Sequence, residues 1–296
     1  MKNLLLIPLT FLLLSCEQRK SEPLVQLQVS KDDFGHIVQL KQTPCRIVSL
    51  APSITETLFA LSLDSSIVGV TDYCDVPEAA KVKPKVGGML NPNIERIVEL
   101  NPDLVLMSAS GNMQTDYQKL TSLGIPVFVS NPRTIDGVLK SIRDIGELTQ
   151  HRAMAETLAA ELRNRRSKIM EELRTKPSQK VLLLLSLNPL IAAGKGTFLD
   201  ELITAARGEN IARGAGTSYP VLSREEIFHS KPDVIIATSD IVKARDAIAA
   251  AYPEWRELPA IQNKRIAIVD ASLVSRPGPR IVEGLEVVAR MIHGER

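Results

Sequence analysis

The sequence predicts an α/β protein of two Rossmann-like lobes with parallel sheets, joined by a single long helix. Three observations predict it. Strand and helix patterns alternate through both halves, one helical stretch between them is too long for a crossover, and a set of residues recurs in each half. In the first half, short runs rich in Val, Ile and Leu at 47–50, 67–71, 104–107 and 127–130 are each followed by a helical pattern. Such alternation builds parallel strands with helices covering the sheet. Ahead of them, residues 25–29 and 37–40 flank the turn residues Asp32 to Gly35 and predict a β-hairpin.

The stretch 150–176 holds no Pro, no Gly and no strand pattern. Its apolar residues Met154, Leu158, Leu162, Ile169 and Leu173 fall on one helical stripe. Roughly 26 residues at 1.5 Å each make a rod of ~39 Å. Strand runs resume at 181–187, 234–237 and 266–269, so a second lobe follows. The expected organisation is a leader at 1–15, a tether at 16–24, an N-terminal lobe at 25–149, the rod at 150–176 and a C-terminal lobe at 177–296.

The halves also echo one another. Glu95-Arg-Ile-Val-Glu-Leu-Asn-Pro-Asp103 aligns without gaps with Glu225-Glu-Ile-Phe-His-Ser-Lys-Pro-Asp233, and each runs into an apolar strand. Ser49-Leu-Ala-Pro52 is matched by Ser186-Leu-Asn-Pro189, and Ile135-Asp-Gly137 by Val282-Glu-Gly284, in the same order. Recurrence of this kind marks related structural units.

At the N-terminus, Lys2 precedes the apolar run 4–14, which is broken only by Pro8 and Thr10 and ends in Leu13-Leu14-Ser15-Cys16. A run this short with these flanks is a secretory leader rather than a spanning helix. A small residue just before Cys16 resembles the lipobox of bacterial lipoproteins, which implies cleavage, acylation of Cys16, and an exported chain held at a membrane only by lipid. With 36 basic and 34 acidic residues and no basic run interleaved with aromatics, nucleic acid is not an expected partner. Cys45 precedes one strand and Cys74 follows its parallel neighbour, which puts the sulfurs at opposite sheet ends and predicts two free thiols.

Enzymatic motifs are missing. Gly194-Lys195-Gly196-Thr197 has no earlier glycine at the spacing a phosphate loop needs, and neither a dinucleotide fingerprint nor a nucleophile elbow occurs. His36, His151, His229 and His293 are spread along the chain without ligand spacing, so no cofactor and no bare metal site is predicted; any metal would arrive already chelated. An exported two-domain hydrolase or chelatase would need a nucleophile and base within reach, and no such pair is evident. A sensor or adhesin on a binding scaffold is a further alternative.

Asn93 and Ser223 are good N-cap residues, so Glu95 and Glu225 fall in the first helical turn of equivalent helices. Carboxylates are favoured there by the helix dipole alone. Two matched acidic knobs on a pseudo-symmetric body also suit a docking surface of two-fold symmetry, and both readings stay open. Ser53-Ile-Thr-Glu56 predicts a capping box opening the helix after the first strand. Tyr73, Met89, Tyr219 and Arg276 fall in loops at the carboxyl ends of the sheets, where α/β folds bind ligands. Trp255 is expected to pack a surface helix onto the core.

Arg46-Ile-Val-Ser-Leu-Ala-Pro-Ser-Ile-Thr-Glu56, Val70-Thr-Asp-Tyr-Cys-Asp-Val-Pro77 and the stretch 87–106 together resemble the helical-backbone periplasmic binding proteins for cobalamin and iron-siderophores. The likeness runs from the hairpin to Ser275-Arg-Pro-Gly-Pro-Arg280 and the last helix. It implies the class III periplasmic binding protein fold, a monomer with a metal-chelate ligand (cobalamin, a ferric siderophore or haem) in the interlobe cleft, and delivery to an ABC permease dimer with its ATPase. It further implies that Ala51, Pro52, Ser53, Tyr73, Met89 and Tyr219 face the ligand and that Glu95 and Glu225 meet permease arginines. The stretch 71–75 looks closest to the cobalamin branch, although Met89 and Tyr219 occupy places where that branch can carry a stacking tryptophan.

Overall fold

A computed structural model describes residues 28–294; the expected leader, Cys16, the tether and residues 25–27 of the hairpin lie outside the described residues. The hairpin pairs β1 (Gln28–Lys31) with β2 (Ile37–Leu40) antiparallel. Its turn closes through Gly35, whose φ of 87° needs a residue without Cβ.

The N-terminal lobe contains β3 (Ile47–Ser49), α1 (Pro52–Ala60), β4 (Ile67–Val70), α2 (Ile94–Glu99), β5 (Leu104–Ser108), α3 (Gln114–Ser122), β6 (Val127–Ser130) and α4 (Ile135–Leu148). Its four strands lie in the order β4-β3-β5-β6, all parallel. The connecting helix α5 (Arg152–Glu172) follows. The C-terminal lobe contains β7 (Gln179–Leu187), β8 (Leu190–Ala192), α6 (Phe198–Ala205), β9 (Gly208–Asn210), α7 (Arg224–Ser230), β10 (Val234–Thr238), α8 (Asp246–Ala251), α9 (Pro259–Gln262), β11 (Ile266–Val269), α10 (Ala271–Ser275) and α11 (Ile281–His293). Strands β11, β10 and β7 are parallel neighbours. This parallel sheet carries a mixed edge, where β8 runs antiparallel along the second half of β7 while β9 pairs parallel with its start.

Burial on both faces explains the apolar strands. Alternate residues of one strand feed different cores: Val181 and Leu183 enter a cluster that also holds Leu104, Leu106, Ile142, Leu162 and Leu285. Leu182 and Leu184 enter a cluster with Ile235 and Trp255 on the other face. Val48, Val105 and Met107 fill the corresponding outer core of the N-terminal lobe. The first cluster is continuous across both lobes and the rod, so the halves share one apolar core in addition to a covalent link.

The rod is 21 residues rather than 26, about 31 Å long. Gln150, in the left-handed region at φ 61°, separates it from α4. Ala155, Ala159, Leu162 and Ile169 are its buried residues, whereas Met154 is 40% exposed. The buried stripe is therefore rotated by one residue near its start, because small side chains let α5 approach α4 closely. A Cβ on Gly146 would lie 2.2 Å from that of Ala155.

The repeat is structural as well as sequential. α2 and α7 both end at a left-handed residue, Asn101 at φ 46° and Lys231 at φ 48°. The aspartate that follows ties the start of the next strand to its neighbour in each lobe: Asp103 accepts from the N–H of Arg46 at 3.0 Å, Asp233 from that of Lys180 at 2.8 Å. Cys45 is exposed and hydrogen-bonds Asp103 through its thiol, while Cys74 is buried between Thr55 and Thr71; both are free.

Candidate functional site

The carboxyl ends of the two sheets carry the loops between the lobes, and a buried ion cluster crosses from one lobe to the other there. Glu56 on α1 is 5% exposed. Arg280 donates to it twice, Nε to Oε2 and Nη2 to Oε1, each at 3.0 Å, in the fork geometry that suits a carboxylate. Arg276 adds a longer contact through Nη1 at 3.4 Å; the same nitrogen donates to the Asp75 carboxylate at 2.6 Å, and Nη2 donates to the Tyr73 carbonyl at 3.3 Å. The Arg276 hydrogen bond holds the Asp75 carboxyl below the usual range, and donating to Glu56 raises the Arg280 guanidinium further.

This corrects the expected capping box at Ser53 and Glu56. Pro52 occupies the first helical position, so Ala51 is the N-cap and makes no side-chain cap. Glu56 is thereby free to serve the arginines of the other lobe. Ala51, Pro52 and Ser53 are buried, because the loop at 276–280 lies over them. A Cβ on Gly278 would come within 3.2 Å of the Ser53 backbone. The start of α1 is thus roofed by the opposite lobe, and Arg276 is committed to linking the lobes.

Tyr73 and Met89 are brought together. With Leu90, Asn91, Ser110 and Gly111 they line a cavity of about 400 Å³. Tyr73 is 61% exposed, and the Met89 methyl fills the place where a Cβ on Gly111 would stand, 2.1 Å away. Asn112, not singled out by sequence, organises this wall. Its amide donates to the carbonyls of Leu50 at 3.0 Å and Met89 at 2.8 Å, and its oxygen accepts from the Ser108 N–H at 2.7 Å. Tyr219 projects from the other lobe, 60% exposed, on a loop pinned beside β8 by hydrogen bonds from Ala192 to Pro220 and from Gly194 to Ser218. The cavity lining does not include Tyr219 or Arg276.

Glu95 and Glu225 occupy the second position of α2 and α7, exposed, behind N-caps Asn93 and Ser223. The Ser223–Glu226 capping box is present in full. Next to Glu225 a surface hollow of about 430 Å³ is lined by Arg224, Phe228, His229, Glu254 and Glu257. Among the described residues no three His, Cys, Asp or Glu side chains converge as a metal group, and no described helix is long and apolar enough to cross a membrane.

Comparison with known proteins fits this geometry. Residues 47–273 match the profile of a family described as periplasmic binding protein. An uncharacterized ABC transporter substrate-binding lipoprotein of Bacillus subtilis is 35% identical over 272 residues, 88% of this chain and 84% of that protein. A vitamin B12-binding protein of Vibrio campbellii is 29% identical over 82% of this chain and 87% of its own. The crystal structure of a periplasmic haem-binding protein from Vibrio cholerae superposes with a TM-score of 0.76 at 29% identity, covering 84% of this chain and 98% of that one.

Proposed function

Since the chain belongs to the periplasmic binding protein family, it is an exported substrate-binding component of an ABC importer, and we propose that its cargo is a metal chelate of the corrinoid class, held between the lobes. The likeness to a vitamin B12-binding protein over most of both chains carries this reading. Support comes from the surface offered: Tyr73, Met89 and Leu90 give apolar and aromatic area to a large ligand, and the exposed Tyr219 of the other lobe is a further aromatic candidate. Haem or a ferric siderophore is the alternative cargo, favoured by the likeness to a haem-binding structure. The reported relatives are binding proteins, and capture followed by release needs no covalent chemistry.

Glu95 and Glu225 then act as docking knobs for two permease subunits, with the shared core and the rod holding their spacing. Acylation at Cys16 keeps the protein at the membrane where that permease lies. The reading of the cargo is tested by calorimetric titration of the full chain in detergent with cyanocobalamin, hemin and a panel of ferric siderophores. Tight binding of cyanocobalamin alone is expected; tight binding of a ferric siderophore with no response to either tetrapyrrole would refute the corrinoid assignment.

A further inference from the structure

The cavity at Tyr73 and Met89 is walled in large part by two segments, 71–80 and 85–92. The first supplies Tyr73, the second Met89, Leu90 and Asn91. They touch directly: the Asp72 N–H donates to the Gly87 carbonyl at 2.9 Å, and Cε2 of Tyr73 lies 3.8 Å from where a Cβ on Gly88 would stand. Segment 71–80 has little regular structure of its own, only a short 3-10 turn at Glu78–Ala80. Its shape must therefore come from side chains that satisfy its main-chain groups.

Lys85 is the first of these. Its Nζ donates to the carbonyls of Cys74 at 3.1 Å, Thr71 at 3.3 Å and Ala80 at 3.4 Å. An ammonium has three donors and no acceptor, and here each donor has a carbonyl of the same segment to meet. A hydrogen bond from a charged donor is roughly twice as strong as a neutral one. Lysine usually extends its head into water; this one is half-buried and turned under the loop. The second grip comes from the other lobe, where Arg276 donates to the Tyr73 carbonyl at 3.3 Å and the Asp75 carboxylate at 2.6 Å. Tyr73 is thereby bracketed, with Lys85 on the carbonyls of Thr71 and Cys74 and Arg276 on its own. A ring that is 61% exposed has little packing to fix it, so these main-chain grips set where it stands.

We propose that Lys85 is a positioning residue for cargo: together with Arg276 it holds the Tyr73 segment in its binding shape without lining the cavity itself. The inference rests on the reading of the Tyr73–Met89 cavity as part of the cargo site. A wall ordered in advance removes the ordering cost from the binding step, and a wall that samples other shapes lowers apparent affinity by the fraction of time it is competent.

The test is equilibrium and stopped-flow titration of the full chain in detergent with cyanocobalamin and hemin. Lys85→Met should weaken binding of whichever probe the wild type takes up by roughly 3- to 10-fold, through slower association at an unchanged dissociation rate. Lys85→Arg, which keeps a charged donor, should recover most of that loss. In a Tyr73→Ala background Lys85→Met should change affinity by less than about twofold, whereas a general weakening of the fold would add in full. Asp75→Ala removes the more exposed end of the Arg276 grip and leaves Glu56 with both arginines; it should slow association about two- to threefold, and it decides the matter if Lys85→Met does not fold. Wild-type association and affinity in Lys85→Met, or a loss that persists in full without the Tyr73 ring, overturns the positioning role and leaves the chelate reading standing. Failure of the wild type to bind either probe overturns both.

Discussion

Glu56→Gln is expected to loosen the two lobes from each other. The substitution keeps the size of the side chain and removes its charge, leaving two guanidinium groups around a neutral amide. The Glu56 side chain is 4% exposed, against 27% for Arg280 and 18% for Arg276. Removing one partner of a buried ion pair costs about 3–5 kcal/mol; because both arginines retain some contact with water, the lower end applies, about 3 kcal/mol. At roughly 2 °C per kcal/mol for a chain of this size, Tm should fall by ~6 °C. The exposed pair Lys81–Glu78, with side chains 51% and 85% exposed, is the control, and Glu78→Gln should cost no more than about 1 kcal/mol. The assay is thermal unfolding of the full chain followed by circular dichroism, with Arg280→Gln and the double variant completing a cycle. A Glu56→Gln protein that melts within about 2 °C of wild type, no lower than Glu78→Gln, refutes the claim that this cluster ties the lobes.

Three other outcomes follow from the same geometry. Glu201 on α6 accepts the N–H of Ile135 at 2.8 Å across the lobes, and burial raises its carboxyl above the usual range. A raised carboxyl favours the folded state below the unfolded value of about 4.3 and loses that contribution as pH climbs through the folded one; Glu201→Gln should therefore flatten the stability curve above about pH 4.3, and identical slopes in urea titrations would contradict this. Gly111→Ala should displace the Met89 methyl, the flexible end of a side chain, lowering cargo affinity while Tm moves by less than about 2 °C; unchanged calorimetric affinity would mean Met89 is not in the wall. Glu95→Ala with Glu225→Ala should abolish uptake of labelled cargo at unchanged affinity, and full transport by that variant would remove the docking role.

Most of the fold was legible because burial on both sheet faces writes continuous apolar runs, and the Pro-Asp pairs that follow α2 and α7 repeat the same tie between strands. The edge strand β8 was not, since it continues the apolar run of β7 and only the Asn188-Pro189 turn divides them. The rod was read too long because the helical pattern of 173–176 continues past Glu172, and its stripe was misplaced because Ala155 and Ala159 bury without looking strongly apolar. In the site, Tyr73 and Met89 could be placed from their loops. Glu56 could not: local spacing made it a capping residue, while its partners stand more than two hundred positions away. Pro52 was the available clue, since proline at the first helical position moves the N-cap to Ala51. His36 was visible only as a hairpin residue, because its stacking on Tyr117 is a tertiary contact that local pattern does not show.

As proposed docking knobs, Glu95 and Glu225 must keep a fixed separation whether or not cargo lies between the lobes, and the shared core and the rod would supply it. Spin labels at Glu95→Cys and Glu225→Cys, in a Cys45→Ser background with Cys74 left buried, allow that separation to be measured by pulsed electron resonance with and without cargo. The two distance distributions should have maxima that agree within about 2 Å. A shift well beyond that, of the sort produced when hinged lobes close on a ligand, would contradict it.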